Sequence, residues 1–292
     1  VPIVYALKQS LASGIDVVSV VAAIIAVVSG WVFVRRQRTI DSPMVDLALF
    51  RIPAFSGAVL SNTLSVFAFF GLLFFFSQYL QLVRGFSPFV AGLAEMPATL
   101  ASMVVVLIIG MMLRRLGLGR SIAVGLFIGA VGLALVGLTA TSTSFLGLGI
   151  AMAIIGLGTG LAMTLSTDAV VSAAPPARAG AASSISEPGF ELGIAMGIGV
   201  LGSLQLAMYR AYLSIPAGTP EPIRTAMQES FTSAAGAFAG QQDALFARAQ
   251  DAFVLAMQHT AYIAAGLLVV AALIAWKLIP STRNGGSTDG AH

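Results

Sequence analysis

The sequence predicts an all-α integral membrane protein of about seven transmembrane helices. Hydrophobic residues make up 58% of the 292 residues and charged residues only 9%, whereas soluble domains are roughly 45–50% apolar and about 25% charged. No globular core of this size buries so much apolar surface, so lipid is the expected solvent. Seven apolar stretches reach the about 20 residues that span a bilayer. They are residues 16–34, 55–82, 89–113, 121–140, 145–173, 182–210 and 253–279.

Basic residues in the connectors predict the orientation of these spans. Arginines follow the first span, Arg114 and Arg115 lie between the third and fourth, and Arg178 lies between the fifth and sixth. Short loops rich in Lys and Arg stay in the cytoplasm. We therefore expect Val1 outside and His292 in the cytoplasm. The net charge of +3 follows from this topology, and no nucleic-acid surface is expected.

Two long connectors divide the chain. Residues 1–53 are predicted to hold the end of a truncated helix, one linker transmembrane helix and a cytoplasmic connector with a short interfacial helix. Residues 54–292 are predicted to form a six-helix bundle that includes an extracytoplasmic loop at 212–252. Helical patterns on both sides of Gly240 make this loop either a helical hairpin or a solvated linker. Because the chain opens on Val1 rather than Met, we expect a piece of a longer protein.

Acidic residues inside the spans are the main functional candidates, because a charge within the bilayer costs about 2.5–3.5 kcal/mol on insertion scales and usually has a role. Glu187 and Glu191 lie one turn apart on the sixth span and share a face with Ser184. Pro188 between them removes a backbone hydrogen bond, so a bend is expected. Carboxylates in a low-dielectric cavity hold either a proton or an organic cation, which is the physical basis of proton–cation exchange. The alternative for Glu187 is a solvated position at the helix end.

Two further acidic residues lie in other spans. Glu95 lies in the third span without a basic residue nearby in the sequence. It is expected either in a water-lined pathway or as a carboxylate that reaches the outer interface. Asp168 lies at the cytoplasmic end of the fifth span, where we expect a structural role as a cap or as an ion-pair partner of Arg178.

Glycine and aromatic residues follow helical spacing in two of the spans. A stripe of small residues on the face opposite the two glutamates predicts close helix packing. A stripe of mainly aromatic residues on the second span can line a cavity and stack on a flat cation, although aromatic residues of a membrane helix more commonly pack against lipid. The first stripe is Gly189, Gly193 and Gly197, and the second is Phe67, Phe70, Phe74 and Gln78.

Enzyme chemistry has little support in the sequence. Cysteine is absent and histidine occurs twice, so thiolate nucleophiles are excluded and no pair of histidines has the spacing of metal ligands. The sequence also contains no phosphate-binding glycine loop of the Walker type. We therefore expect no catalytic residues, no metal and no cofactor.

Several segments of the chain form a specific pattern through their order and spacing together. They are residues 1–14, 33–38, 43–51, 78–94, 167–182 and 187–203, the last of which contains Glu-Pro-Gly-Phe-Glu-Leu-Gly at 187–193. In these segments the chain resembles the second half of the fourteen-helix drug–proton antiporters of the major facilitator superfamily, the branch that includes bacterial quaternary-ammonium resistance exporters.

The resemblance implies that the seven spans are helices eight to fourteen of such a protein in the bacterial plasma membrane. It implies that Glu95, Glu187 and Glu191 recognise small hydrophobic cations and protons, with the proton motive force as the energy source. The missing amino-terminal half of the same protein is then the main partner.

One motif departs from the family pattern. Residues 110–117 read Gly-Met-Met-Leu-Arg-Arg-Leu-Gly, so Arg114 stands where the family has Asp. Arg114 and Arg115 are therefore expected to anchor the topology only. The leading hypothesis is proton-coupled efflux of hydrophobic cations. The alternatives are a non-transporting membrane module, such as a sensor or partner subunit, and an exporter of a lipid or an endogenous metabolite.

Overall fold

A computed structural model describes residues 17–39, 46–141, 145–238 and 244–281. Helices account for the secondary structure in these ranges. Four short turns accompany them: 3-10 turns at Leu47–Arg51 and Pro176–Arg178 and π-helical turns at Tyr79–Val83 and Gly197–Leu201. The helices are α1 (Val17–Thr39), α2 (Pro53–Gln78), α3 (Pro88–Leu116), α4 (Leu118–Thr139), α5 (Phe145–Ser172), α6 (Ala179–Met196), α7 (Gly202–Tyr212), α8 (Glu221–Glu229), α9 (Phe231–Ala237) and α10 (Ala244–Leu278).

Six helical segments of the described chain are long and apolar enough to cross a membrane. They correspond to the second to seventh predicted spans and confirm the all-α membrane fold. The first predicted span, 16–34, falls largely in α1, which is helical but is not one of these six. The six are Pro53–Val83, Pro88–Leu116, Leu118–Thr139, Phe145–Ser172, Pro176–Tyr212 and Ala244–Leu278.

Local sequence signals set the ends of α3. Ser87 caps its start, because the Ser87 hydroxyl accepts a hydrogen bond from the backbone N–H of Val90 at 3.4 Å. Pro88 follows at the first helical position, where the N–H that proline lacks would have no acceptor within the helix. Gly117 ends it with a φ of 78°, a conformation that only glycine adopts readily. A Cβ at Gly117 would also lie 2.5 Å from the carbonyl oxygen of Ser281. One residue therefore turns the chain from α3 into α4 beside the end of α10.

Glycines bring the central helices into backbone contact. A Cβ at Gly125 of α4 would lie 3.0 Å from the Gly158 carbonyl oxygen of α5, and a Cβ at Gly158 would overlap the backbone nitrogen of Gly129. On another side of α5, a Cβ at Gly156 would overlap the Ala98 carbonyl oxygen of α3. Close approach of this kind is how membrane helices gain packing without a hydrophobic driving force. Helix α10 closes the core by packing on α4 and α2.

The spanning helices differ in how much of their surface the bundle encloses. In its most apolar stretch, 56% of α2 and of α4 is buried, against 33% for the segment that contains α6 and 17% for α3. Helix α3 and the segment Pro176–Tyr212, which contains α6, therefore present the broadest exposed faces of the six spanning segments.

The connectors differ from their predicted form. The second helix of the expected hairpin and the last span are one continuous helix, α10, which begins at Ala244 rather than at 253. The first arm of the hairpin consists of α8 and α9, separated at Ser230, whose hydroxyl accepts from the Ser233 N–H at 3.0 Å. Gly240 lies outside the described residues, as does 40–45. The described part of the connector that is predicted to be cytoplasmic contains only the 3-10 turn Leu47–Arg51 in place of an interfacial helix.

Candidate functional site

Helix α6 packs on α2 through its glycine face. A Cβ at Gly193 would lie 2.8 Å from the carbonyl oxygen of Thr63, and a Cβ at Gly197 would overlap the carbonyl oxygen of Phe67. The Thr63 hydroxyl donates to the Gly189 carbonyl oxygen at 3.3 Å. These contacts fix the rotation of α6 about its own axis, because any side chain at Gly193 or Gly197 would push the two backbones apart.

The opposite face of α6 carries the two carboxylates. Glu187 and Glu191 are exposed, and so is Ser184, whose hydroxyl donates to the Ala181 carbonyl oxygen at 2.9 Å. The ion pairs within the described ranges join other residues, so neither glutamate has a basic partner there. Pro188 lies inside α6, and the helix widens into a π-helical turn at Gly197–Leu201.

An aromatic pair includes the residue that precedes Glu191 in the chain. Phe70 of α2 meets Phe190 of α6 edge to face, with ring centroids 5.9 Å apart. Phe190 immediately precedes Glu191, so the pair joins the aromatic stripe of α2 to the carboxylate-bearing helix. Phe190 was not a sequence-based candidate; its position next to Glu191 was the only signal that pointed to it.

The other members of the aromatic stripe separate. Phe67 is buried, whereas Phe74 is 46% exposed. Gln78 lies further along α2, where its side-chain oxygen accepts a hydrogen bond from the Thr232 hydroxyl of α9 at 3.4 Å. The structure therefore places Phe70 alone of this stripe in contact with the aromatic ring next to Glu191.

Glu95 lies on a different helix, α3, and faces the end of α2. It is partly buried, and its Oε1 atom is buried without a hydrogen-bond partner among the described residues. The Ser77 side chain lies next to this carboxyl. The Gln81 amide donates to the Ser77 oxygen at 3.1 Å, which leaves the Ser77 proton available for Glu95. Sequence reasoning missed Ser77 and Gln81, although their spacing of four residues places them on one helix face.

The basic residues of the connectors have varied surroundings. Arg178 pairs with Asp46 at 2.8 Å, so the expected pairing with Asp168 is wrong for this arginine. Asp168 is exposed and lies inside α5 rather than at a helix cap. Arg114 and Arg115 are in the last turn of α3, where positive charge stabilises the negative end of the helix dipole.

Metal binding has no support in the described ranges, where no group of three or more histidine or acidic side chains could hold an ion. The polar groups of the candidate site are instead carboxylates and hydroxyls that accept protons or attract cations. This set of groups fits binding and proton exchange better than bond-making chemistry.

Comparison with known proteins identifies the family. The model of the Major Facilitator Superfamily matches residues 6–198. The chain is 35% identical to the multidrug efflux pump LfrA of Mycolicibacterium smegmatis over 277 residues, which are 94% of this chain and 55% of that protein. It is 31% identical to the methyl viologen resistance protein SmvA of Salmonella typhimurium over 188 residues, which are 64% of this chain and 38% of that protein.

A third relative is the multidrug resistance protein Stp of Mycobacterium tuberculosis, 29% identical over 194 residues, which cover 66% of this chain and 36% of that protein. The chain spans about half the length of the first of these relatives and less of the others. The chain belongs to the Major Facilitator Superfamily and is a multi-pass membrane protein of a transporter family rather than an enzyme.

Proposed function

We propose that this chain forms the cation-binding half of a proton-coupled exporter of hydrophobic cations, including quaternary ammonium compounds and dyes. The observation that carries the proposal is the exposed face of α6, on which Glu187 and Glu191 lie one turn apart without a basic partner among the described residues. The names of the relatives support it, since they are a multidrug efflux pump, a methyl viologen resistance protein and a multidrug resistance protein. Methyl viologen is a flat dication with two quaternary nitrogen atoms.

The spacing of the two carboxylates favours exchange between a cation and a proton. Residues four apart on a helix are about 5–6 Å apart at Cβ. Two negative charges at about 6 Å repel by roughly 3 kcal/mol at an effective dielectric constant of about 20. A proton or an organic cation on the pair relieves this repulsion, and the arrival of one therefore weakens the binding of the other. The edge-to-face pair of Phe70 and Phe190 beside Glu191 offers an apolar wall for the ring system of a cation.

Glu95 is proposed as an additional acidic contact for the cation. Its buried, unpartnered Oε1 has an acceptor position available, and Ser77, whose oxygen accepts from the Gln81 amide, lies next to the carboxyl. Ser77 and Gln81 are positioning residues in this scheme, because they act on Glu95 rather than on the substrate.

The exposed face of α6 is proposed to meet the other half of the transporter. Alternating access in this family needs two halves that rock around a central site, and this chain corresponds to 55% of the length of its relative from Mycolicibacterium smegmatis. By the distribution of arginines, the proposed orientation places the carboxyl terminus in the cytoplasm of a bacterial cell. The proton motive force across the plasma membrane would supply the energy, without a cofactor.

Efflux of ethidium from cells that carry the full-length protein tests the carboxylate assignment. Replacing both carboxylates (Glu187→Gln with Glu191→Gln) is expected to reduce efflux at least about tenfold, because a loss of roughly 1.4 kcal/mol at the site already has that effect. Asp168→Asn is the matched control, since it removes an exposed carboxylate from neighbouring α5, and it should keep normal efflux. Normal efflux in the double variant would show that this face does not bind the cation.

Purified protein in liposomes tests the proton coupling. Addition of a quaternary ammonium compound should release protons from the wild-type protein and not from the double variant, as read by a pH-sensitive dye. If a lipid or neutral metabolite is the cargo instead, that compound will compete with ethidium and quaternary ammonium compounds will not.

A further inference from the structure

An aromatic cavity of about 170 Å³ lies where α2, α7, α9 and α10 meet. Its position differs from that of the carboxylates, since none of Glu95, Glu187 and Glu191 lines it. Each of the four helices contributes at least one aromatic or amide side chain to the wall. Those that carry the argument are Phe75, Gln78, Gln205, Tyr209, Phe231 and Phe253.

Tyr209 lines this cavity, and its hydroxyl is a buried polar group that no other described residue satisfies. Tyr209 is 1% exposed and its hydroxyl has no hydrogen-bond partner in the described ranges. Gln205 next to it is satisfied on both sides: its amide nitrogen donates to the Phe253 carbonyl oxygen at 3.2 Å, and its oxygen accepts from Thr260 at 2.9 Å. A buried unsatisfied hydroxyl is costly, so a molecule that bonds to Tyr209 gains affinity there.

The electrostatic character of the wall favours a neutral molecule. No charged side chain is among the residues that line the cavity in the described part of the chain. Phe231 stacks on Phe253 with centroids 4.5 Å apart and on Phe246 at 5.9 Å, so its ring face is engaged within the aromatic cluster. A cation needs free ring faces, whereas a neutral ring also packs against the positive ring edges.

We propose that this cavity binds a neutral molecule with a single aromatic ring and one hydroxyl or carbonyl group, of which phenol is the simplest example. The volume fits, because an apolar protein cavity of about 150 Å³ accommodates benzene. Gly202 keeps the space open on the α7 side: a Cβ there would lie 3.2 Å from the ring of Phe75. The hydroxyl of the ligand bonds to Tyr209, and its ring packs among Phe75, Phe231 and Phe253.

Cysteine protection tests the location. The chain has no cysteine, so Thr232→Cys, at an exposed position of the cavity wall, gives it one reactive thiol. In the full-length protein without other cysteines, phenol should slow maleimide labelling of this variant saturably. Thr225→Cys is the matched control, because it lies exposed on α8 and does not line the cavity; its labelling should not change. Equal slowing of both variants, or of neither, would overturn the proposal.

Removal of one hydroxyl tests the chemistry. Tyr209→Phe should weaken protection by phenol about three- to tenfold, the worth of one hydrogen bond, and leave protection by toluene unchanged. Tyr212→Phe, on the same helix but outside the cavity, should change neither. Protection by tetramethylammonium in place of phenol would contradict the neutral ligand. If Thr232→Cys does not fold, the shift in melting temperature that phenol causes in wild-type and Tyr209→Phe protein decides the same question. These readouts do not involve ethidium efflux, so their failure is separate from a failure of the cation site.

Discussion

Helices α5 and α6 meet their surroundings in opposite ways. Helix α5 is enclosed on two sides by backbone contacts, at Gly158 with α4 and at Gly156 with α3. Helix α6 makes comparable contacts on one side only, where Gly193 and Gly197 approach α2, and its other side is exposed. The difference implies that the fold depends on the contacts of α5 and on one face of α6. The carboxylate face of α6 remains exposed because the packing of the described helices does not use it.

The largest effect is expected at the contact between α4 and α5. In Gly158→Val the added carbon atoms meet the backbone of Gly129, which cannot move without separating the helices, so a destabilisation of about 3 kcal/mol is expected. Gly266→Ala on α10 is the control, since no atom lies within 4 Å of its Cβ position. Fluorescence-detected size exclusion after heating will compare the two variants. Equal melting temperatures would show that the α4–α5 contact tolerates widening.

A smaller effect is expected between α6 and α2. Gly197→Ala places a methyl group against the Phe67 carbonyl oxygen, and the gain in helix propensity offsets part of the strain, which leaves about 1–2 kcal/mol of destabilisation. Because this contact sets the rotation of α6, ethidium efflux should fall as well. The control is Gly180→Ala at an open position of α6; it gains helix propensity without the strain, so the melting temperature should not fall and efflux should stay normal.

The ion pair of Arg178 and Asp46 is expected to contribute little. The two side chains are 52% and 22% exposed, and exposed ion pairs typically contribute about 0.2–1 kcal/mol. A double-mutant cycle with Arg178→Gln and Asp46→Asn, measured by thermal unfolding, should give a coupling energy in that range and a smaller one at high salt. A coupling above about 2 kcal/mol would mean that the pair is shielded from water in the intact protein.

The smallest effect on stability is expected on the carboxylate face. Glu187→Gln with Glu191→Gln changes two exposed side chains that form no ion pair among the described residues. The melting temperature should therefore stay within about 2 °C of the wild type, in line with a change of roughly 0.5 kcal/mol or less. A large drop in the melting temperature would mean that these carboxylates stabilise the fold. The exposed face of α6 would then be as necessary for stability as the enclosed faces of α5.

Most of the fold was predictable because lipid leaves few choices for the backbone. A span must satisfy its own hydrogen bonds, so an apolar stretch such as 89–113 becomes a helix, here Pro88–Leu116. The opposite positions of Gly193 and Glu191 likewise follow from 3.6 residues per turn. Which neighbouring helix each face contacts is a property of the tertiary structure, and it could not be predicted from the spacing of residues along one helix.

Long-range contacts account for what the sequence did not predict. Arg178 was expected near Asp168, ten residues before it, but its partner Asp46 is 132 residues away. The aromatic cavity lined by Tyr209 needs side chains from four helices at once, and no local sequence pattern predicts that these helices contact one another. Ser77 and Gln81 become relevant only because α3 brings Glu95 to the end of α2.

The length of α10 has a mechanical consequence. A helix of 35 residues measures about 52 Å, whereas the hydrocarbon core of a bilayer is about 30 Å thick. The excess carries Phe246, which stacks on Phe231 of α9, and Gln250, whose amide donates to the Leu82 carbonyl oxygen at 3.3 Å. The start of α10 is thus a rigid extension of the bundle. Any tilt of the bundle displaces this end of the helix further than any point within the bilayer. A distance reporter near Phe246, at the start of α10, would therefore register a tilt of the bundle as a larger displacement than a reporter within the bilayer.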